Sequence, residues 1–253
     1  QCFMTAAAFF AARPSLSSSL LLSALTNAFD ETDVLFELVY ENSKAMIMSP
    51  SISISNNGLD ILDCLIQRSS EKYLEGAQDL ITFVTEKLNE DPSKYCGLFK
   101  SISILFSKRN FDDHLPELFQ LYLVGLNSQD AEIIEETLNG MGTFFSTFNS
   151  QEPIESLAPI QKDIVDILMK IYSDYNPRFE YENTALNLYQ PIVQEIGHLV
   201  FLCGFNLDIC TLFINIIAET FSKSSTAPLF RPLIALSIAN VMAFFTSLSS
   251  FPE

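Results

Sequence analysis

Tryptophan is absent from this 253-residue chain, only eight glycines and two histidines occur, and 14 basic residues stand against 31 acidic ones. So few glycines exclude a fold built from many tight hairpins, each of which needs positive φ angles at its turn. The formal net charge of −17 repels phosphate backbones and anionic lipid headgroups, and so argues against a direct nucleic-acid partner. Neither His114 nor His198 stands with a cysteine or aspartate in a nucleophile or metal arrangement, and HExxH, P-loop, GxSxG and GxGxxG patterns are missing. The sequence therefore reads as a non-enzyme with no cofactor and no metal. Its five cysteines, Cys2, Cys64, Cys96, Cys203 and Cys210, are odd in number and never spaced as CxxC, which removes a disulfide framework and a zinc site. Most sit among apolar neighbours, where a reduced cysteine acts as a small hydrophobe. With no Asn-x-Ser/Thr acceptor in the chain, this points to a reducing compartment, the cytoplasm or the nucleus.

What the chain does contain is packing material: 48% hydrophobic residues and 22 phenylalanines. Apolar residues recur at helical spacing almost throughout, predicting an all-α protein with helices near 3–12, 16–28, 32–47, 59–68, 72–89, 93–107, 114–127, 130–147, 155–173, 184–203, 207–222 and 229–248. Period-two alternation is confined to Ile52-Ser53-Ile54, which reads as part of a Ser- and Asn-rich linker. Helix stops and caps punctuate the chain at Asn89–Pro92, Asn127–Asp130 and Ser173–Pro177. Short connections predict antiparallel neighbours. The uncharged stretch from Pro232 to Ser250 is nearly long enough to span a bilayer, but a helix buried on all sides within a stack has the same composition. Asn240 and the Ser and Thr residues of that stretch favour the second reading.

Every second helix repeats a small pattern. A large apolar residue, a small residue and two further apolar residues recur around Ile102, Met141, Ile196 and Ile238, at intervals of 39, 55 and 42 residues. The long interval contains the polar, proline-broken stretch from Tyr172 to Asn183, which reads as an inserted loop. Ser103, Gly142, Gly197 and Ala239 supply the small residue, as required where two helix axes cross closely. Pro116 and Pro159 fall near helix starts, where proline is tolerated. These features predict a right-handed α-solenoid of antiparallel helix pairs, with irregular helical repeats over 1–69 and regular ones over 70–253. Residues 112–146 combine a proline-containing first helix, a short Asn/Asp turn and a second helix with small residues, and here the chain resembles HEAT repeats of the HEAT/armadillo class. That resemblance implies protein binding and, among acidic solenoids, a likeness to importin-β-type nuclear transport receptors, which hold basic cargo and the small GTPase Ran. Both ends of the chain are apolar, whereas solenoid ends carry polar caps, so the sequence reads as an interior piece of a longer stack.

Two groups of residues are candidates for binding. On the helix from Asp130, the apolar set Ile134, Leu138, Met141 and Phe145 leaves Glu132, Glu135, Glu136 and Asn139 towards the other side. That side is either simply solvated or the acidic wall of a groove for a basic peptide. The second group is the 172–183 loop, where Tyr175, Phe179 and Tyr181 alternate with Asp174, Glu180 and Glu182, a composition suited to Lys- and Arg-rich ligands through cation–π and ion-pair contacts. Equally, its aromatics could cap the core beneath. His198, in an apolar run, reads as a hydrogen-bonded core or interface histidine, and His114 as a solvated or ion-paired one.

Overall fold

A computed structural model describes residues 14–28, 36–68, 78–107, 115–147 and 157–175, with single positions at 5, 8 and 10 and scattered positions between 188 and 222. Among these residues the fold is all-α, with no strand. Its helices are α1 (Leu16–Ala28), α2 (Phe36–Ile47), α3 (Ile52–Arg68), α4 (Gln78–Glu90), α5 (Pro92–Tyr95), α6 (Leu98–Ser107), α7 (Leu115–Leu126), α8 (Ala131–Thr147) and α9 (Ala158–Tyr175). They fall into two compact units, residues 1–110 and 111–253.

Caps set several of the boundaries. Ser15 and Ser18 satisfy each other's backbone at the start of α1, where Ser18 N donates to Ser15 Oγ at 3.2 Å and Ser15 N donates to Ser18 Oγ at 3.0 Å. This is a reciprocal capping box with serine in the usual Glu position. Asp91 caps α5 by accepting from Lys94 N at 3.2 Å, with Pro92 at the first helical position. The Ser93 hydroxyl, donating to Asp91 Oδ1 at 2.6 Å, and the Lys94 amide favour the ionised carboxylate and hold the Asp91 carboxyl below its usual range. Asp130 does the same for α8, accepting from Glu132 N at 3.0 Å.

The first unit departs from the sequence expectation at two places. Ile52-Ser53-Ile54, expected to be linker, forms the opening of α3. Ile52 is exposed, but Ile54, Gly58, Ile61, Leu62 and Leu65 are buried at helical spacing, so the short alternation is one edge of a 3.6-residue pattern. The Ser55 hydroxyl then donates to Ile47 O at 3.0 Å, satisfying a carbonyl that the end of α2 leaves open. Second, the helix expected over 93–107 breaks at Cys96–Gly97, where Leu59 fills the place of a side chain, its Cδ1 lying 2.6 Å from where a Cβ on Gly97 would stand.

Helices α1 and α2 both pack on α3, and α3 and α4 both pack on α6. A polar lock joins α3 to α6: Asp63, 8% exposed, accepts from Ser101 Oγ at 2.5 Å and Lys100 Nζ at 3.0 Å. Burial pushes its carboxyl up, while those two partners pull the other way. The neighbouring Cys64 thiol is free and buried, and burial pushes it up too.

In the second unit α7 packs on both α8 and α9. Pro116 and Pro159 occupy second positions of α7 and α9. The core is aromatic: the buried Phe119 ring stands edge-on to Tyr122, Phe144 and Phe145, with centroids at 5.6, 5.9 and 6.1 Å. Ile102, Met141 and Ile196, the repeating large apolar positions, are fully buried, and Ile238 lies outside the described residues. Tyr172, which falls both in the helix expected over 155–173 and at the start of the expected loop, is a buried part of α9, which continues to Tyr175. Its position, four residues after the buried Leu168, puts it on the core side. Among the described residues no helix is long and apolar enough to cross a membrane; the 232–250 stretch lies outside them.

Candidate functional site

The second unit carries an open groove of about 470 Å³. One wall is the turn from α7 into α8, Leu126 to Gln129 with Ile134. The other is the end of α9, Ile167, Lys170, Ile171, Asp174 and Tyr175. Of its four aliphatic residues Leu126, Ile134 and Ile171 are buried and Ile167 half-buried, so the groove's surface is mostly amides, hydroxyls and the charges of Lys170 and Asp174.

The electrostatics follow from which helix ends meet there. A helix C-terminus carries a partial negative charge from its unpaired carbonyls, and both α7 and α9 end at the groove. Neither has a basic residue in its last turn. Some of α7's carbonyls are satisfied locally: Asn127 N and Nδ2 both donate to Leu123 O, at 3.1 and 2.8 Å, and Ser128 N donates to Gly125 O at 3.1 Å. Asp174, in the last turn of α9, adds a carboxylate where the dipole favours a cation. The start of α8 would oppose this field, but Asp130 caps it. Lys170 stands one turn before Asp174 on the same wall.

Of the residues expected to bind, Tyr175 lies in this groove beside Asp174. Glu132 and Asn139 are exposed on α8, and Glu135 and Glu136 are half-buried; their spacing places all four on one side of the helix. None of them lines the groove, to which α8 contributes Ile134. Phe179, Glu180, Tyr181 and Glu182 lie outside the described residues, as does His114. The apolar side of α8 differs from expectation at one position. Phe144 is fully buried, whereas Phe145 is half-buried and rests against His198 at 5.1 Å. Asn127, Ser128 and Gln129 were legible only as a helix stop, and Lys170 not at all.

A family-model comparison finds no match to this chain, and neither curated proteins nor solved structures match it. The site's chemistry rests on its own geometry.

His198 has a carboxylate partner. Its Nδ1 lies 3.1 Å from Glu195 Oε2; the glutamate side chain is 3% exposed and the histidine 40%. A Cβ on Gly142 would stand 3.2 Å from Glu195 Oε1, so Gly142 makes room for a side chain, not for a helix backbone. Gly197 and Ala239 lie outside the described residues. Burial drives the Glu195 carboxyl up, more strongly than His198 draws it down. The folded chain therefore binds a proton that the unfolded chain has released, in the window from about 4.3, the pKa of an unperturbed glutamate, up to the raised native value. Stability contributed at this site is fully present below that window and falls as pH rises through it. Glu195→Gln, which keeps an acceptor for His198, should flatten this part of the profile and raise the melting temperature at neutral pH. Thermal melts of both proteins across the window measure it, and parallel profiles would contradict a protonated native Glu195.

Proposed function

We propose that this chain is a protein-binding α-solenoid segment that holds basic, extended segments of its partners on an acidic surface of the second unit. The groove between the ends of α7 and α9 is the observation that carries this reading. Two helix C-termini, the Asp174 carboxylate and the Tyr175 ring outweigh the single Lys170 ammonium in the lining, an environment that accepts an arginine or lysine head while its methylene stem lies along the half-buried Ile167 and Tyr175. The acidic side of α8 extends the negative field that steers such a segment inward. Contacts between helices that are not neighbours in sequence, α1 with α3, α3 with α6 and α7 with α9, support stacked helix pairs of the HEAT/armadillo kind. On that basis the protein belongs with scaffold or transport receptors of the cytoplasm and nucleus, similar to importin-β-type receptors that engage basic cargo and a Ran-like GTPase.

An Arg/Lys-rich peptide titrated against the 253-residue chain tests the reading. Binding should weaken as salt rises. Asp174 is exposed, so Asp174→Asn should cost about 0.2–1 kcal/mol, the scale of a solvent-exposed ion pair, or up to roughly fivefold in affinity. Reversing Glu132, Glu135 and Glu136 to lysine should chiefly slow association. Affinity indifferent to both salt and Asp174→Asn would remove the groove from the account.

A further inference from the structure

One charge in the groove has no use in the binding of a purely basic ligand. Lys170 stands one turn before Asp174 on the same wall, and both are exposed. Residues four apart share one side of a helix, and a lysine placed ahead of its acid is the weaker order for such a pair. Here the pair is not made: among the described residues neither side chain takes part in an ion pair. The wall therefore offers a cation and an anion about 6 Å apart along the helix axis, each open to a partner.

The facing wall is neutral. The exposed Asn127 and Gln129 carry side-chain amides, each with donors and an acceptor, the complement of a peptide unit. Asn127 donates one N–H to Leu123 O, which leaves its carbonyl oxygen to accept. Amides across from charges suit a chain whose backbone lies against one wall and whose side chains reach the other. In an extended chain alternate side chains fall on one face, about 6.5 Å apart, which matches the step from Lys170 to Asp174. The groove's volume of about 470 Å³ is towards the small end of ligand sites, about 300–1,000 Å³, so it admits a short stretch and not a long basic run. We propose that the groove reads an extended segment in which a basic and an acidic residue stand two apart, the base at Asp174 and the two helix ends, the acid at Lys170. This rests on the protein-binding reading of the groove and narrows its ligand class. A uniformly basic segment sets a second cation against Lys170, a like-charge contact that selects against it. The net charge of −17 draws in any cationic chain, and the local pair decides which is retained.

Three peptides of one composition and one net positive charge, carrying Arg-x-Glu, Glu-x-Arg or adjacent Arg-Glu, separate spacing from overall charge when titrated against the 253-residue chain. A bound segment has a direction, so one of the two spaced peptides should bind most tightly, exceeding the adjacent one by up to about fivefold, the range of a solvent-exposed ion pair. Lys170→Gln should abolish that difference, and Lys170→Glu should turn the preference to Arg-x-Arg. Position 170 is exposed, so helicity and melting temperature of both variants should match the parent. Binding that Asp174→Asn weakens but that ignores spacing, or a spacing preference that survives Lys170→Gln, would overturn this inference and leave the basic-ligand reading standing. If no peptide binds, or if binding is indifferent to Asp174→Asn, the groove itself is not the site and both readings fall.

Discussion

Gly58→Ala should destabilise the first unit by about 1–3 kcal/mol, the usual scale of overpacking, although alanine in a helix interior is worth about 1 kcal/mol more than glycine. The reason lies in what an added methyl would meet. A Cβ on Gly58 would stand 2.8 Å from Ile47 N and 2.8 Å from Met46 Cβ, atoms that belong to or hang directly from the α2 backbone and cannot rotate away. To admit it, α2 and α3 must separate, which strains the Ser55–Ile47 hydrogen bond at 3.0 Å and opens the packing of the fully buried Met46 and Ile47. Gly97→Ala is the matched control. Its Cβ would also be too close to a neighbour, 2.6 Å from Leu59 Cδ1, but that atom ends a flexible side chain that can move, so a change within about 0.5 kcal/mol is expected. Urea unfolding of the two variants measures the difference, and amide exchange in α2 and α3 should report lost protection for Gly58→Ala alone. Equal effects would mean that helix propensity, not the α2–α3 approach, governs position 58.

The same glycine marks the limit of what periodicity could reveal. Helical spacing alone identified α1, α7 and α8 nearly to the residue, because their buried positions repeat every three to four residues and their starts carry readable caps. It fails at Ile52–Ser55, where one exposed and one buried isoleucine two apart imitate a strand; Gly58 lies just ahead of the helix expected from residue 59. The repeat pattern predicts close-approach sites at Ser103 and Gly142. Ser103 is buried, its hydroxyl donating to Phe99 O within its own helix at 2.5 Å, whereas Gly142 admits the Glu195 side chain. Small residues are necessary for close crossings without being sufficient, so their spacing cannot rank them. The groove was still less legible. Its walls come from chain segments far apart in sequence, Leu126–Gln129 and Lys170–Tyr175, and neither has a pattern that names the other. Tyr175 and Asp174 were found because aromatic and acidic residues alternate there; Lys170 belongs to a helix whose period reports burial and not what lies across from it.

Phe119→Ala should be the most damaging single change in the second unit, costing about 3–5 kcal/mol, the range for truncating a buried phenylalanine. Phe119 is 0% exposed, and its ring meets three others edge-on, with interplanar angles of 69°, 88° and 75° to Tyr122, Phe144 and Phe145. Each such pair adds about 0.5–1.5 kcal/mol beyond its buried area, and a methyl group keeps none of them. Phe119→Leu, which retains much of the volume but not the quadrupole, should cost appreciably less. Because α7 is the helix that touches both α8 and α9, the damage should reach the groove. Loosening α7 frees the Asn127–Gln129 wall from the Asp174–Tyr175 wall, so amide protection across α7, α8 and α9 should fall together. Affinity for a basic peptide should drop even though no groove residue has changed. Unfolding curves, amide exchange and peptide titration on the two variants separate the possibilities. If Phe119→Ala lowered stability but left peptide affinity intact at a temperature where the chain remains folded, the groove would not depend on the aromatic core. Matching losses in both would make the packing of α7 the source of the site's preorganisation.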